Sequence, residues 1–260
     1  MTKPIEPTID QILRFCEGAP VERVFLEDVA RRGNGRFAGV AAPDGTLRAL
    51  CHLGTNVVPS GSGCAAFAGI AVKTAPRMLI GEAGAVSDLW EAGRRRFPRA
   101  REDRPAQPVY EARELPEPGG SALRPATLGD LDLLVPACAE AHRLELGIDP
   151  LRRDPNGFRW RTRVQIEEGR SWLWEQDGTI LFKAEASAWT PSAVQLQQVW
   201  VDPAERRHGY GARALRDLIR LLLAQVPAVC LFVRTDNAPA IRLYDAIGMR
   251  HVLDYRSVLL

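Results

Sequence analysis

Apolar and polar positions in the second half of the chain alternate between the periods of helix and strand. Leu131, Leu134, Val135, Cys138, Ala141 and His142 recur at helical spacing and predict one apolar helix face running to about Leu146. Thr127 is placed as its N-cap, with Asp130 at the capping-box position. Residues 150–157, rich in Pro, Asp, Asn and Arg, read as a loop, and 158–168 as a second, short amphipathic helix. Three strands follow. Residues 171–176 end at the hairpin signal Asp177-Gly178, residues 180–189 end at Thr190-Pro191-Ser192, and the third spans 194–201. A helix from Tyr210, a strand over 228–233, a helix over 238–247 and a last strand over 251–260 complete the pattern.

The first half is less regular. Residues 9–30 carry one or two helices. Residues 37–42 and 47–53 flank Asp44-Gly45 as a hairpin. Helical stretches over 64–71 and 86–97 surround a strand over 77–80, and 108–114 closes the half as a strand. The order resembles a shortened copy of the second half. Pro and Gly cluster at Pro116-Glu117-Pro118-Gly119-Gly120-Ser121 and predict a linker. The expected fold is α/β with a sheet of mixed strands, divided into domains over 1–118 and 119–260.

One segment carries chemistry. Arg206-Arg207-His208-Gly209-Tyr210-Gly211 joins the strand ending near Asp202-Pro203 to the helix that follows. A helix start presents unpaired N–H groups and a favourable dipole, and glycines let a ligand approach the backbone. The expected ligand is a pyrophosphate or phosphate. The spacing is neither the Gly-x-x-x-x-Gly-Lys-Ser/Thr of nucleotide-triphosphate loops nor the Gly-x-Gly-x-x-Gly of dinucleotide sites. Downstream stand Asn237-Ala238-Pro239-Ala240-Ile241-Arg242-Leu243-Tyr244 and Gly248-Met249. Together with the glycine loop they resemble the GNAT N-acetyltransferase superfamily over residues 121–260, with Met249 where Phe is common. The phrases Val24-Phe25-Leu26-Glu27-Asp28, Leu47-Arg48-Ala49-Leu50-Cys51, Asn56-Val57-Val58-Pro59 and Phe182-Lys183-Ala184-Glu185 further resemble two-part GNAT proteins of actinobacterial type. Their N-terminal part is a domain of unknown function, so the first half is expected to be a degenerate GNAT-like copy without the CoA loop.

The resemblance implies a site. Arg206, Arg207, His208, Gly209, Tyr210, Gly211 and Ala212 would grip the pyrophosphate of acetyl-CoA or another acyl-CoA. The strand Val199-Trp200-Val201 would lie along the pantetheine arm, and Asn237 would make a further cofactor contact. Tyr244 would face the thiolate, since a phenol with pKa ~10 can donate a proton to the leaving sulfur. Many members carry a Glu base where this chain has Gln195, followed by Gln197 and Gln198. Glu185 on the preceding strand is the replacement expected, placed across from Gln198 by the intervening hairpin, with Glu145 and His142 as second choices. The implied reaction is direct attack of a primary amine on the thioester. A non-catalytic acyl-CoA sensor or scaffold is the alternative, and an aminoacyl-tRNA-dependent transferase is a third reading.

Composition narrows the partners. A formal charge of +2 over 260 residues argues against a nucleic-acid partner, and Arg94-Arg95-Arg96 with Arg99, Arg101 and Arg104 reads as a solvated helix end. Apolar runs are too short for a bilayer, and the start lacks a signal-peptide pattern, so a cytoplasmic protein is expected, without a membrane partner. The five cysteines include no Cys-x-x-Cys pair and read as buried, reduced thiols, and no metal is expected. Acyl chain length, acceptor and oligomeric state stay open at this stage.

Overall fold

A computed structural model of the chain describes residues 3–260. The N-terminal half runs α1 (Ile9–Glu17), α2 (Val24–Arg31), β1 (Phe37–Ala41), β2 (Leu47–Leu53), β3 (Asn56–Gly61), α3 (Ala68–Ala71), β4 (Met78–Glu82), α4 (Ala83–Gly93) and β5 (Glu102–Ala112). An extended linker without helix or strand follows. The C-terminal half runs β6 (Arg124–Pro125), α5 (Leu131–Leu146), α6 (Pro150–Arg153), α7 (Pro155–Glu167), β7 (Ser171–Gln176), β8 (Thr179–Trp189), β9 (Val194–Val201), α8 (Tyr210–Leu223), β10 (Val229–Phe232), α9 (Ala238–Ala246) and β11 (Arg250–Leu259).

The strands join in one sheet of order β1-β2-β3-β4-β11-β5-β10-β9-β8-β7-β6. Each half has its own antiparallel run ending in one parallel pair, β3 with β4 and β9 with β10. Beyond that the halves trade strands. β11 lies between β4 and β5, while β5 lies between β11 and β10, and all of these pairings are antiparallel. Each half therefore completes its sheet with the other's last strand.

Apolar faces follow the periodicity. Leu215, Leu218, Ile219 and Leu222 of α8 pack on Phe182, Ala184, Leu196 and Leu231 of the sheet. Leu134, Val135 and Cys138 of α5, with Phe158 and Ile166 of α7, cover the region of Leu173, Ile180 and Trp200. Val24 of α2 packs with Val109, Ala188, Cys230 and Tyr255 across the exchanged strands. The buried Arg170 guanidinium donates to both carboxylate oxygens of Asp28 at 2.8 and 3.3 Å and ties α2 to the start of β7. No helix among the described residues is long and apolar enough to cross a membrane.

Three local expectations change. Residues 150–157 hold α6 and the start of α7 rather than a loop, because Asp149 and Asp154 are N-caps and Pro150 and Pro155 sit at the first helical turn, where a missing N–H costs nothing. β5 begins at Glu102, six residues before the expected 108, and it takes in Arg104, the last arginine of the charged stretch read as a helix end. There Arg104 chelates Glu102, and Arg256 of β11 pairs with Asp103 at 2.7 Å. β3 is an additional strand, pairing with both β2 and β4.

Candidate active site

β9 is where the sheet opens. It pairs with β10 only at Val194↔Val229 and Gln195↔Cys230, so the backbone from Leu196 to Val201 has no partner on that side. On the other side, Lys183 pairs with Trp200 and Glu185 with Gln197, leaving two β9 residues against one on β8. This is a β-bulge, and Gln198 within it takes a left-handed φ of 49°. The bulge also moves Glu185 one residue from its expected partner, opposite Gln197 instead of Gln198.

The open edge leads to the glycine loop. Arg207 at φ 71° and Gly209 at φ 83° turn the chain into α8, with Gly209 as N-cap. Among the described residues, no backbone or side-chain acceptor meets the N–H groups from His208 to Ala212. Five donors and a helix dipole thus converge where an anion would be stabilised. A side chain on Gly211 would press on Val201, so glycine there lets α8 close on β9. Arg206 and His208 are exposed. Arg206 donates to the Val201 carbonyl at 3.3 Å, and His208 lies 3.5 Å from Glu205. Tyr210 packs edge-on against Trp174. Val199 and Val201 pack toward α8, while Trp200 turns to the α5 side, where its indole N–H is buried without an acceptor.

α9 carries the next two residues. Asn237 accepts from the Ala240 N–H at 3.3 Å and caps the helix, with Pro239 in its first turn. Tyr244 is buried, its ring 5.5 Å from that of Tyr110 on β5, a strand supplied by the N-terminal half. Its hydroxyl has no hydrogen-bond partner among the described residues. Burial, then the Glu145 carboxylate, raise its pKa, so the phenol stays protonated.

On the α5 face lies a cluster that the sequence reading did not assemble. Lys183 is fully buried. Its ammonium donates to Glu185 Oε1 at 2.8 Å, to Cys138 Sγ at 2.9 Å and to Gln198 Oε1 at 2.7 Å. The Cys138 thiol donates to Glu185 Oε1 at 3.0 Å, and Gln197 Nε2 reaches Oε2 at 3.4 Å. Burial works to raise the Glu185 pKa, but Lys183 and these hydrogen bonds outweigh it and lower it. Glu185 is thus a settled carboxylate with little appetite for a proton. Burial pushes the Cys138 thiol up to about 12, which keeps it protonated. Gln195 stands apart, donating to Ser187 Oγ at 2.8 Å.

Glu145 behaves in the opposite way. Its side chain is exposed, and desolvation by the surrounding protein raises its pKa against the pull of Arg104, Lys183 and Arg234. It lies at the end of α5 toward Tyr244, anchored where Arg104 of β5 donates to its carbonyl at 2.9 Å. His142 packs edge-on against Phe158, and burial, then Arg161, lower its pKa. The signal that could have found the cluster was simple. Lys183 and Glu185 are two residues apart in a strand and must share a face.

A cavity of about 900 Å³ opens beside the cluster. Cys138, Glu185, Gln197 and Gln198 form one wall, α5 to α7 a second, and residues flanking β3, β4 and β11 a third.

Comparison with known proteins agrees with this geometry. Residues 137–249 match the acetyltransferase (GNAT) family, and residues 35–134 match a domain of unknown function, DUF4081. The chain is 32% identical over 108 residues to a mycothiol acetyltransferase of Nocardioides, covering 39% of this chain and 35% of that protein. It is 39% identical over 62 residues to the N-alpha-acetyltransferase RimI of Mycobacterium tuberculosis, covering 24% and 38%. It therefore spans little more than a third of these curated relatives. Among solved structures, a Drosophila protein superposes with a TM-score of 0.67 at 12% identity, covering 100% of this chain and 99% of the other. A GCN5-related N-acetyltransferase from Sphaerobacter thermophilus gives 0.58 at 18% identity, covering 98% and 93%. At such identities the likeness concerns the fold, and it extends over both halves. By family match and fold, the chain carries a C-terminal domain of the GNAT acetyltransferase family behind an N-terminal domain that matches DUF4081.

Proposed function

We propose that the protein transfers an acyl group, most simply acetyl, from acyl-CoA to a primary amine by direct attack. The observation that carries this reading is the continuous track from the unpaired edge of β9 to the five free N–H groups at the start of α8. A pantetheine arm added to that edge as an extra strand would finish at a pyrophosphate on the loop. Arg206 and Arg207 would add charge there, Asn237 would meet the cofactor, and Tyr244 would protonate the departing thiolate. Attack on the thioester carbon forms the C–N bond, breaks the C–S bond and releases CoA with one proton from the amine.

That proton needs an acceptor. Glu185, the base expected from the sequence, is committed to Lys183. We place proton acceptance at Glu145, directly or through water, and leave Glu185 to position Lys183 and the bulge at Gln198. A non-catalytic acyl-CoA sensor is the second reading, favoured by Gln195 standing where many relatives carry Glu. Calorimetric titration with acetyl-CoA, run beside a thiol-release assay over an amine panel, separates the readings. Binding with turnover is the expected result. Binding without turnover on any amine would favour the sensor, and absence of binding would remove the CoA track altogether.

A further inference from the structure

We propose that the amine acceptor carries an anionic group, a carboxylate or a phosphate, held by Arg77 and Arg101 of the N-terminal half; this rests on the N-acyltransfer reading. The cavity beside Gln198 is lined by four arginines, Arg77, Arg101, Arg153 and Arg161, against two carboxylates, Asp154 and Glu185. Both carboxylates are already matched. Glu185 is paired with the buried Lys183 at 2.8 Å. Asp154 lies 3.5 Å from Arg161 and caps α7 by accepting from the Gly157 N–H at 2.9 Å. Among the described residues, no hydrogen bond or ion pair engages the guanidinium of Arg77, Arg101 or Arg153. Three unmatched positive charges thus face one concavity, where the surrounding low-dielectric walls concentrate their field.

Placement makes them a reading device rather than a scatter of surface charge. The Arg77 N–H donates to the Thr55 carbonyl at 2.8 Å, and its carbonyl accepts from the Leu260 N–H at 2.9 Å. The Arg101 N–H donates to the Leu259 carbonyl at 2.8 Å. Both backbones are therefore fixed on either side of the end of β11, and two guanidinium forks there suit the geometry of carboxylate or phosphate. Another wall is the bulge of β9, where the acyl group would lie. An acceptor with its amine at one end and its anion some distance away would span the cavity. Arg153 also lines a neighbouring concavity of about 720 Å³, where Arg152 lies 3.4 Å from Asp149 and Arg143 3.6 Å from Glu140. In this arrangement the C-terminal half performs the chemistry and the half without a CoA loop selects the acceptor.

The test compares the wild-type chain with an Arg77→Gln/Arg101→Gln double variant. Both arginines are exposed, so the fold is not at stake, and circular dichroism verifies this. CoA is titrated first by calorimetry. At saturating CoA, which occupies the glycine loop, O-phosphoethanolamine, glutamate and ethanolamine follow. The expected result is that at least one anionic amine binds the wild type at least 10-fold more tightly than ethanolamine. The double variant should lose most of that margin while its Kd for CoA changes less than twofold. Preference for phosphoethanolamine identifies a phosphate, preference for glutamate a carboxylate. The proposal is overturned if neither anionic amine outbinds ethanolamine, or if the variant binds them as the wild type does. Failure of CoA itself to bind in the first titration is a separate result, and it would remove the acyltransfer reading beneath the proposal.

Discussion

Lys183 shows how much a single buried charge can organise. It has three N–H donors and uses one on each of three side chains, from α5, β8 and β9. Exchanging Glu185 for Gln would leave that ammonium buried without its counter-charge, which typically costs about 3–5 kcal/mol. Thermal denaturation of Glu185→Gln should show this loss, and pairing it with Lys183→Met should recover a good part; an unchanged melting temperature in the single variant would refute the ion pair. Glu145 makes a kinetic prediction. A base with a raised pKa makes kcat/KM climb with pH at values above the ordinary carboxylate range, because only the ionised form accepts a proton. Glu145→Gln should lower kcat/KM by about 10²-fold and abolish that rise. A variant whose pH profile still climbs as before would return the role of base to another group. The role of Lys183 was not assembled from sequence, although Lys183 and Glu185 stand two residues apart in an otherwise apolar strand, and Glu145 stood there only as a second choice of base. The burial of Lys183 and the desolvation felt by Glu145 depend on which elements pack around them.

At the level of elements, the path from β9 through the loop to α8, β10 and α9 was legible because each boundary has a local chemical cause. Asp177 and Gly178 adopt the positive φ angles of a tight hairpin, Gly209 turns into a helix, and Asn237 caps one. The capping box at Thr127 formed as the spacing implied, with Asp130 accepting from the Thr127 N–H at 2.8 Å. Arg124 clasps the same carboxylate at 2.7 and 2.8 Å and, as the largest influence, holds its pKa well below the usual range. A carboxylate with a depressed folded-state pKa stabilises fully above its unfolded value near ~3.9, and that stability is lost as pH falls through the folded value. Asp130→Asn should therefore cost about 1–2 kcal/mol at pH 7 and progressively less below pH ~4. Urea denaturation at the two pH values measures this, and an equal loss at both would mean that the charge is immaterial. What stayed hidden at this scale were elements whose causes lie elsewhere. β5 begins in a charged stretch because Arg256, 153 residues after Asp103, matches it, and α6 looked like loop because Pro and Asp serve both turns and helix starts.

The whole molecule is one sheet whose halves complete each other. The linker is seated on α8 as well. Asp217 accepts from the Gly119 and Ser121 N–H groups at 2.7 Å, Arg213 binds the carbonyls of Gly119 and Gly120, and a side chain on Gly119 would collide with the Arg213 carbonyl. The C-terminal half on its own, residues 119–260, would keep the glycine loop but lose β5, and with it Tyr110 beside Tyr244 and the strand that joins β10 to β11. That fragment should express as an aggregating or loosely packed species, with weak near-ultraviolet circular dichroism and no binding of acetyl-CoA, whereas co-expression with residues 1–118 should restore both. A fragment that is folded and competent by itself would show that β5 is dispensable to the site.

The exchange also sets a schedule for synthesis. On the ribosome the first half emerges with β4 and β5 already made, yet the strand that belongs between them, residues 250–259, follows every other strand of the sheet. Until then β4 and β5 carry open edges facing a gap one strand wide, and such edges invite pairing with other chains. Neither half can finish early, so the protein should mature in one late, concerted step, and the nascent first half is where a chaperone would be needed most.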